Sequence, residues 1–206
     1  MFSNKALAQL PEDFTNALST GAGLILSDFN PTSVLDAETI KSNILFATDG
    51  GVSTSCVFSY GDHASGLDNS TPNTKQLVYV TGVECTMSGT AKTVTQASAK
   101  ALLAHADAEG DELIEFTPRM NVSLSDFNSY WFVAPYGTQG GFVAVQLKDA
   151  LNTGGFSWQS ANNEKGSFAF TFKGFSDIEN PSEIPFKYYI KKASGVATTE
   201  VEPTEE

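Results

Sequence analysis

The side chains of this sequence best suited to proton transfer or nucleophilic attack near neutral pH are its two histidines and two cysteines. His63 directly follows Asp62, an order that could supply a base and its orienting carboxylate, but adjacent side chains seldom point at each other. His105 lies in a helical pattern that offers no Cys, Asp or second His at metal-ligand spacing. Cys56 and Cys85 could form one disulfide, yet their places in apolar, strand-like runs favour two free thiols. These residues predict no catalytic or metal-ligating site.

Sequence motifs for common chemistries are also missing. There is no G-x-S-x-G, no G-x-G-x-x-G after a strand, no Walker sequence, no H-E-x-x-H and no C-x-x-C pair. Four carboxylates around Gly110 could hold calcium: Asp107, Glu109, Asp111 and Glu112. An EF-hand loop, however, needs ligands at alternate positions over about a dozen residues and a closing Glu, so a solvated turn explains them better. We therefore expect a protein that is not an enzyme and that uses no cofactor.

Length, composition and charge limit the remaining classes of function. The 206 residues are 41% hydrophobic and only 17% charged, a balance that predicts one compact domain with a substantial core. A net charge of -12 has the wrong sign for binding phosphate backbones. No stretch approaches the roughly 18 uncharged apolar residues of a membrane-spanning helix. Specific nucleic-acid binding and a membrane anchor are therefore not expected.

Period-two alternation of apolar residues dominates the chain and predicts β-strands. It is clearest at 168–172, where Phe alternates with Ala and Thr, and it recurs at 143–147 and 186–190. Clusters of turn-forming residues separate the later strands, so 141–176 is predicted to form a three-stranded antiparallel meander. β-branched and aromatic residues predict earlier strands at 23–29, 44–48, 52–60, 75–87 and 111–118.

One segment predicts a helix instead. The run from Thr95 to Glu109 is rich in helix formers, carries Ala residues on one stripe, and is followed by Gly110, which can end a helix. Thr93 and Gln96 have the spacing of a capping box at its start. We therefore predict a mainly β fold, an antiparallel β-sandwich or barrel with one flanking α-helix at about 95–109.

Two stretches lie outside the strand pattern. The polar segment 61–74 is longer than an ordinary hairpin loop, and loops of this length are usually functional or mobile. The end of the chain is acidic, with four glutamates and no basic residue after Lys192. We predict one domain over 1–192 and a flexible tail over 193–206.

A chain that is rich in aromatic residues but has no active site can act through its surface, as a glycan-binding module or as a subunit of an assembly. A sugar-binding module exposes two or three coplanar Trp or Tyr side chains. The candidates are Tyr130, Trp131, Tyr136 and Trp158. Trp131 lies in an apolar run and Trp158 in an alternating strand, so both are predicted to be core residues. Assembly is therefore the stronger interpretation, with a glycan-binding β-sandwich as the alternative.

Six segments carry a family resemblance, in order along the chain. They are GLILSDFNPTS (23–33), ILFATDGGVS (44–53), LDNSTPNTKQL (67–77), MSGT (87–90), GGFVAVQLKDALNTGGFSWQSANNEKGSFAFTFKGF (140–175) and PFKYYIK (185–191). In these segments the chain resembles the major tail tube protein of long-tailed, non-contractile bacteriophages. The resemblance extends from about Asn4 to Lys192.

This resemblance implies a structural protein of the virion tail, assembled in the cytoplasm of the bacterial host. Subunits of the family form hexameric rings that stack into a tube, and genomic DNA passes through its lumen without specific binding. The implied partners are further copies of the chain and the tape measure, tail terminator and distal tail proteins.

The resemblance also implies a role for the long loop, because an extended loop between two strands reaches toward the next ring in such tubes. Segment 61–74 matches this loop by position. The predicted inter-ring contact residues are Asp62, His63, Leu67, Asp68, Asn69 and Asn73. The family has no catalytic residues to carry over.

Overall fold

The computed structural model describes residues 23–33, 36–137, 140–160, 162 and 165–192. The strands in these ranges are β1 (Leu24–Leu26), β2 (Ile44–Phe46), β3 (Thr48–Asp62), β4 (Val78–Ala91), β5 (Ala106–Glu109), β6 (Glu115–Pro118), β7 (Asn128–Tyr136), β8 (Gly141–Asn152), β9 (Ser157–Gln159), β10 (Ser167–Gly174) and β11 (Phe186–Lys191). The α-helices are α1 (Ala37–Asn43) and α2 (Gln96–Leu103). The predicted tail at 193–206 lies outside the described residues, as do the first 22 residues of the domain predicted over 1–192.

Nine of these strands form one antiparallel sheet in the order β2-β1-β7-β8-β10-β4-β3, with β11 paired to β8 and β9 paired to β10. Its first and last strands, β2 and β3, are separated by Ala47 alone, so the sheet curls until its two ends meet. The Ala47 N–H donates to Thr93 Oγ1 at 2.9 Å, and the Ala47 carbonyl accepts from the Lys92 N–H at 2.8 Å. The prediction of a mainly β, antiparallel, sandwich-like fold is confirmed.

The main hydrophobic core lies inside the curl. Phe170 and Phe172 of β10 are buried, as their alternation predicts, and the Phe172 ring stacks on Tyr130 of β7 with centroids 4.0 Å apart. The buried members of this cluster are Ile25, Leu45, Phe46, Cys85, Met87, Ala91, Ala101, Leu102, Tyr130, Val145, Leu147, Ala150, Phe170 and Phe172. Burying each large apolar side chain stabilises the fold by about 1.5–3 kcal/mol, so this cluster holds the strands and α2 together.

A second apolar cluster lies on the opposite face of β1, β7 and β8. Trp131 packs edge-to-face against Phe29 and lies beside Tyr189 of β11, with ring centroids 5.6 Å apart in both pairs. Phe142 of β8 is buried in the same cluster. The three strands are therefore covered on both faces.

Helix α1 covers part of this second cluster through Ile40. Asp36 caps the helix, because its carboxylate accepts the Thr39 N–H at 3.0 Å. The sequence patterns predict one flanking helix, and the described residues contain two. Seven residues are too few for a clear helical periodicity, and so short a helix depends on tertiary packing for its stability.

The helix predicted over 95–109 is shorter than expected. Helix α2 ends at Leu103, because Ala104 adopts φ 63° and ψ -79°. The His105 N–H then donates to the Leu103 carbonyl at 2.9 Å, which closes a γ-turn of the rare, strained kind. Residues 106–109 form β5, which pairs with β6 in a separate two-stranded sheet. Strand pairing therefore overrides the helix propensity of this part of the chain.

The cap of α2 also differs from the prediction. The N-cap is Thr95, whose hydroxyl accepts the Ser98 N–H, while the Ser98 hydroxyl accepts the Thr95 N–H at 2.6 Å. A serine at the third helical position takes the part that Glu or Gln plays in the usual capping box, so the predicted pair of Thr93 and Gln96 does not form the cap.

The predicted meander at 141–176 is wrong in its strand order. Strands β8 and β9 pair with the same edge of β10, since β4 occupies the other edge. Residues 153–156 bulge between them, and the buried Asn152 fills the gap. Its Oδ1 accepts the Thr171 N–H at 2.9 Å, and its Nδ2 donates to the Leu102 carbonyl at 2.6 Å. A side chain thus replaces the ladder hydrogen bonds that the bulge interrupts.

Candidate assembly surface

Strands β3 and β4 extend beyond the rest of the sheet as a two-stranded ribbon. Strand β10 pairs with β4 only over residues 86–91, whereas β3 pairs with β4 as far as Asp62 and Val78. We call residues 57–62 and 78–84 the distal ribbon. Two strands with no third strand or helix against them are at best marginally stable in water. The distal ribbon is therefore a part of the described fold that gains much from a partner.

Exposed apolar side chains line one face of the distal ribbon. Phe58, Tyr60, Val78 and Val80 are 37%, 66%, 41% and 54% exposed, and we call these four residues the apolar stripe. Tyr60 lies opposite Val80 in the strand register, and the rings of Phe58 and Tyr60 are 6.5 Å apart. Large apolar side chains that are contiguous and uncovered mark interaction surfaces.

The apolar stripe is a continuation of the core. Along β3, Cys56, Phe58 and Tyr60 alternate and therefore share one face of the strand. Cys85, directly opposite Cys56, is fully buried in the main core. The face that is covered at the base of the ribbon thus becomes solvent-exposed toward its tip.

The two cysteines lie where the ribbon leaves the core. Their Sγ atoms are 3.0 Å apart, and both thiols are free in the structure. Burial, with a smaller contribution from the hydrogen bond to Cys56, raises the pKa of the Cys85 thiol to about 12. Cys85 is therefore protonated near neutral pH, and it must lose its proton before it can act as a nucleophile.

The loop that joins the two strands runs from 63 to 77, not from 61 to 74, because Gly61 and Asp62 belong to β3. The Asp62 carboxylate stabilises the base of this loop. Its Oδ1 accepts the Ala64 N–H and its Oδ2 accepts the Asn73 N–H, both at 2.8 Å. These hydrogen bonds lower the pKa of the Asp62 carboxyl from its ordinary value, and the one from Asn73 contributes more than the one from Ala64. Because Ala64 and Asn73 lie near opposite ends of the loop, their hydrogen bonds to the same carboxylate tie the two ends together.

The pair of His63 and Asp62 does not form a catalytic arrangement. The His63 ring stacks on Tyr79 with centroids 4.1 Å apart, while the Asp62 carboxylate binds backbone N–H groups. Gly61 permits this packing, because a Cβ at that position would lie 2.5 Å from the Tyr79 ring.

The six predicted contact residues lie together at the end of the ribbon. Leu67 is 59% exposed, and Asp68 and Asn69 are exposed in a turn beside it. Asp62 and Asn73 lie at the base of the loop and hold its shape. Whether these residues contact a neighbouring ring stays a prediction.

The apolar stripe is the feature that sequence patterns missed. The alternation of Phe58 and Tyr60, and that of Val78 and Val80, is the same signal that predicts a half-buried strand. Periodicity identifies the apolar face of a strand but not whether another element covers it.

Further apolar side chains are exposed outside the ribbon. The prediction that Trp158 is a core residue is wrong. Its side chain is 63% exposed and stacks on Phe168 with ring centroids 6.1 Å apart. On β11, the alternating residues Tyr188 and Ile190 are 56% and 51% exposed, and Tyr189 packs inward on Trp131 instead.

The candidate glycan-binding residues do not form one platform. Trp131 is buried as predicted, and Tyr130, its neighbour on β7, is buried in the other cluster. Trp158 is the one of the four that is exposed, and Tyr136 is half-buried. Coplanar exposed rings, as a sugar-binding face needs, are not formed by this set.

Other predicted features can be located as well. Asp107, one of the four carboxylates around Gly110, lies 2.9 Å from the Arg119 guanidinium. His105 is half-buried in the turn after α2 and not within the helix. Within the described residues there is no cluster of three or more His, Cys, Asp or Glu side chains that could hold a metal ion, and no helix is long and apolar enough to cross a membrane.

Known proteins offer a weak structural likeness to this chain. No known protein family matches the chain, and no curated protein matches it. Among solved structures, a chain of the "Virion of native gene transfer agent (GTA) particle" aligns with TM-score 0.39 and 12% identity, covering 75% of this chain and 92% of that one. The chain is thus weakly similar to a component of that virion.

Proposed function

We propose that this chain is a structural virion protein of the tail tube type. Copies form hexameric rings, and the rings stack into the tube that conducts the genome into the host cell. The observation that carries this proposal is the apolar stripe, which extends the core face of β3 and β4 into solvent. The six family-like segments of the sequence support the same assignment.

A second copy of the chain is the partner we infer for the apolar stripe. No described strand pairs with the outer edge of β3, and an unpaired strand edge is a template for pairing with another chain. In a closed ring each subunit uses the same contact, so no edge stays free. Burial of a large apolar side chain contributes about 1.5–3 kcal/mol, and the four side chains of the stripe offset part of the cost of association.

The overall charge suits a channel for DNA. A net charge of -12 repels phosphates, so a genome could slide past without attractive contacts that must be broken at each step. In this proposal the protein is not an enzyme, is assembled in the host cytoplasm and becomes part of the virion tail. Its other partners are the tape measure, tail terminator and distal tail proteins.

A double substitution, Tyr60→Ser with Val80→Ser, tests the stripe. Concentrated wild-type protein should form rings or tubes in sedimentation and electron microscopy, and the variant should stay monomeric with an unchanged circular dichroism spectrum. The control is Ile178→Ser, because Ile178 is 93% exposed but lies outside the ribbon; this variant should assemble. Assembly of the double variant at wild-type concentrations would contradict the proposal.

The inter-ring role of the loop needs a separate test. Residues 65–72 can be replaced by Gly-Gly, because the Ala64 and Asn73 N–H groups already bind the same carboxylate. This variant should form rings that do not stack, so that electron microscopy shows rings without tubes. Tubes of normal length would show that Leu67, Asp68 and Asn69 make no required contact between rings.

The same preparations discriminate the alternative function. A glycan-binding β-sandwich should remain dispersed at high concentration and should bind a glycan array in a manner that depends on the exposed Trp158. A tail tube subunit should polymerise.

A further inference from the structure

We propose that Cys56 and Cys85 form a cross-strand disulfide that fastens the distal ribbon at its base. The chemistry of this redox pair depends only on the subunit fold. Its role in supporting the ribbon for assembly rests on the proposed function above.

The backbone geometry suits the bond. Cys56 and Cys85 are direct partners in the antiparallel register of β3 and β4. Directly opposite residues in antiparallel strands have Cα atoms about 4.5–5.5 Å apart, within the roughly 4.4–6.8 Å that disulfides span. The Sγ atoms are already 3.0 Å apart, so bond formation at about 2.05 Å needs a movement of only about 1 Å.

The surroundings of the two sulfurs favour a disulfide over a metal site. Zinc needs four ligands, and no third His, Cys, Asp or Glu joins these cysteines within the described residues. Cys85 is fully buried, whereas Cys56 is half-buried and lies at the edge of the core. An oxidant can therefore reach Cys56 first, and Cys85 reacts only with its neighbour.

The reaction balances with a small-molecule disulfide as oxidant. The Cys56 thiolate attacks one sulfur of RSSR, which forms a Cys56–SR mixed disulfide and releases RSH after protonation. Cys85 then loses its proton and attacks Cys56 Sγ, so the Cys56–Cys85 bond forms and a second RSH leaves. The protein loses two hydrogen atoms in total, and RSSR is reduced to two RSH.

The crosslink closes a loop that contains the whole distal ribbon and the segment 63–77. A disulfide limits the open states of such a loop. The two-stranded ribbon gains most from this limit, because no third strand among the described residues pairs with it. The bond lies at the boundary between the core and the apolar stripe, so it would restrain fraying without covering the stripe.

The test uses dilute full-length protein with oxidised glutathione as the probe. We expect the two free thiols to fall to zero, the mass to drop by two hydrogen atoms, and a non-reducing peptide map to link the Cys56 and Cys85 peptides. Proteolysis within the ribbon should slow about tenfold or more, and dithiothreitol should reverse the effect. Because the protein is unassembled, these results do not depend on tube formation.

Two single variants test which of the two cysteines reacts first with glutathione. Cys85→Ser should keep glutathione on Cys56 as a stable mixed disulfide, whereas Cys56→Ser should show little modification, because its remaining thiol is buried. Circular dichroism verifies the fold of each variant. The proposal is overturned if wild-type protein keeps two thiols under conditions that glutathionylate Cys85→Ser, or if its disulfide links two subunits.

Discussion

Trp131 and Trp158 lie at opposite ends of the burial range, with 5% and 63% of their surfaces exposed. Trp131→Ala should lower the free energy of unfolding by about 3–5 kcal/mol, because it leaves a cavity beside Phe29 and Tyr189. Trp158→Ala removes only a stacked contact with Phe168 and should cost about 1 kcal/mol. Urea unfolding followed by circular dichroism measures both, and equal costs would show that Trp158 is a core residue.

Asp62 gives the loop a dependence on pH. Its pKa is lower in the folded chain than in the unfolded chain, so its contribution is present above the ordinary Asp value of about 3.9 and is lost as the pH falls through the lowered pKa. Acidification should therefore lower the hydrogen-exchange protection factors of the Ala64 and Asn73 amides, measured against intrinsic exchange at the same pH, before the core unfolds.

Asp62→Ala should produce the same loss of protection at pH 7, because both amides lose their acceptor. Asp68→Ala is the control, since Asp68 is an exposed carboxylate in the same loop. Unchanged exchange in the Asp62 variant would mean that another group holds the base of the loop.

At the scale of elements, the early end of α2 is decided by a strained turn. Ala104 has a positive φ of 63°, a conformation that costs about 1–3 kcal/mol in a residue other than glycine. Ala104→Gly should therefore raise the free energy of unfolding by about 1 kcal/mol, after the added freedom of glycine in the unfolded chain is subtracted. Ala99→Gly, inside α2, should lower it by about 1 kcal/mol. Thermal unfolding measures the change in stability of each variant. Destabilisation by both substitutions would contradict the prediction that their effects have opposite signs.

At the scale of the whole molecule, the charge of -12 opposes self-association. The Debye length falls from about 30 Å at 0.01 M salt to about 10 Å at 0.1 M, so added sodium chloride weakens repulsion between copies. Light scattering should show that assembly strengthens over this range. Replacing Asp111 and Glu112, both exposed, by Ser should shift the onset to lower salt. Tubes that dissolve as salt rises would indicate that ion pairs between subunits dominate instead.

The sequence by itself determined the antiparallel β-structure, because period-two alternation is a local property of each strand. The same patterns predicted a long connection between β3 and β4 and the burial of Phe170 and Phe172. The candidate contact residues of the loop were selected through the family resemblance, and the structure places them together.

Only the tertiary structure decided which apolar faces are covered. The alternation of Phe170 and Phe172 and that of Phe58 and Tyr60 are alike, but β10 lies inside the curled sheet and the distal ribbon extends beyond it. Strand order and the end of α2 were decided in the same way, by pairing between residues far apart in the chain. Burial depends on neighbours that no local pattern records, and for this reason the candidate assembly surface was found from the fold and not from the sequence.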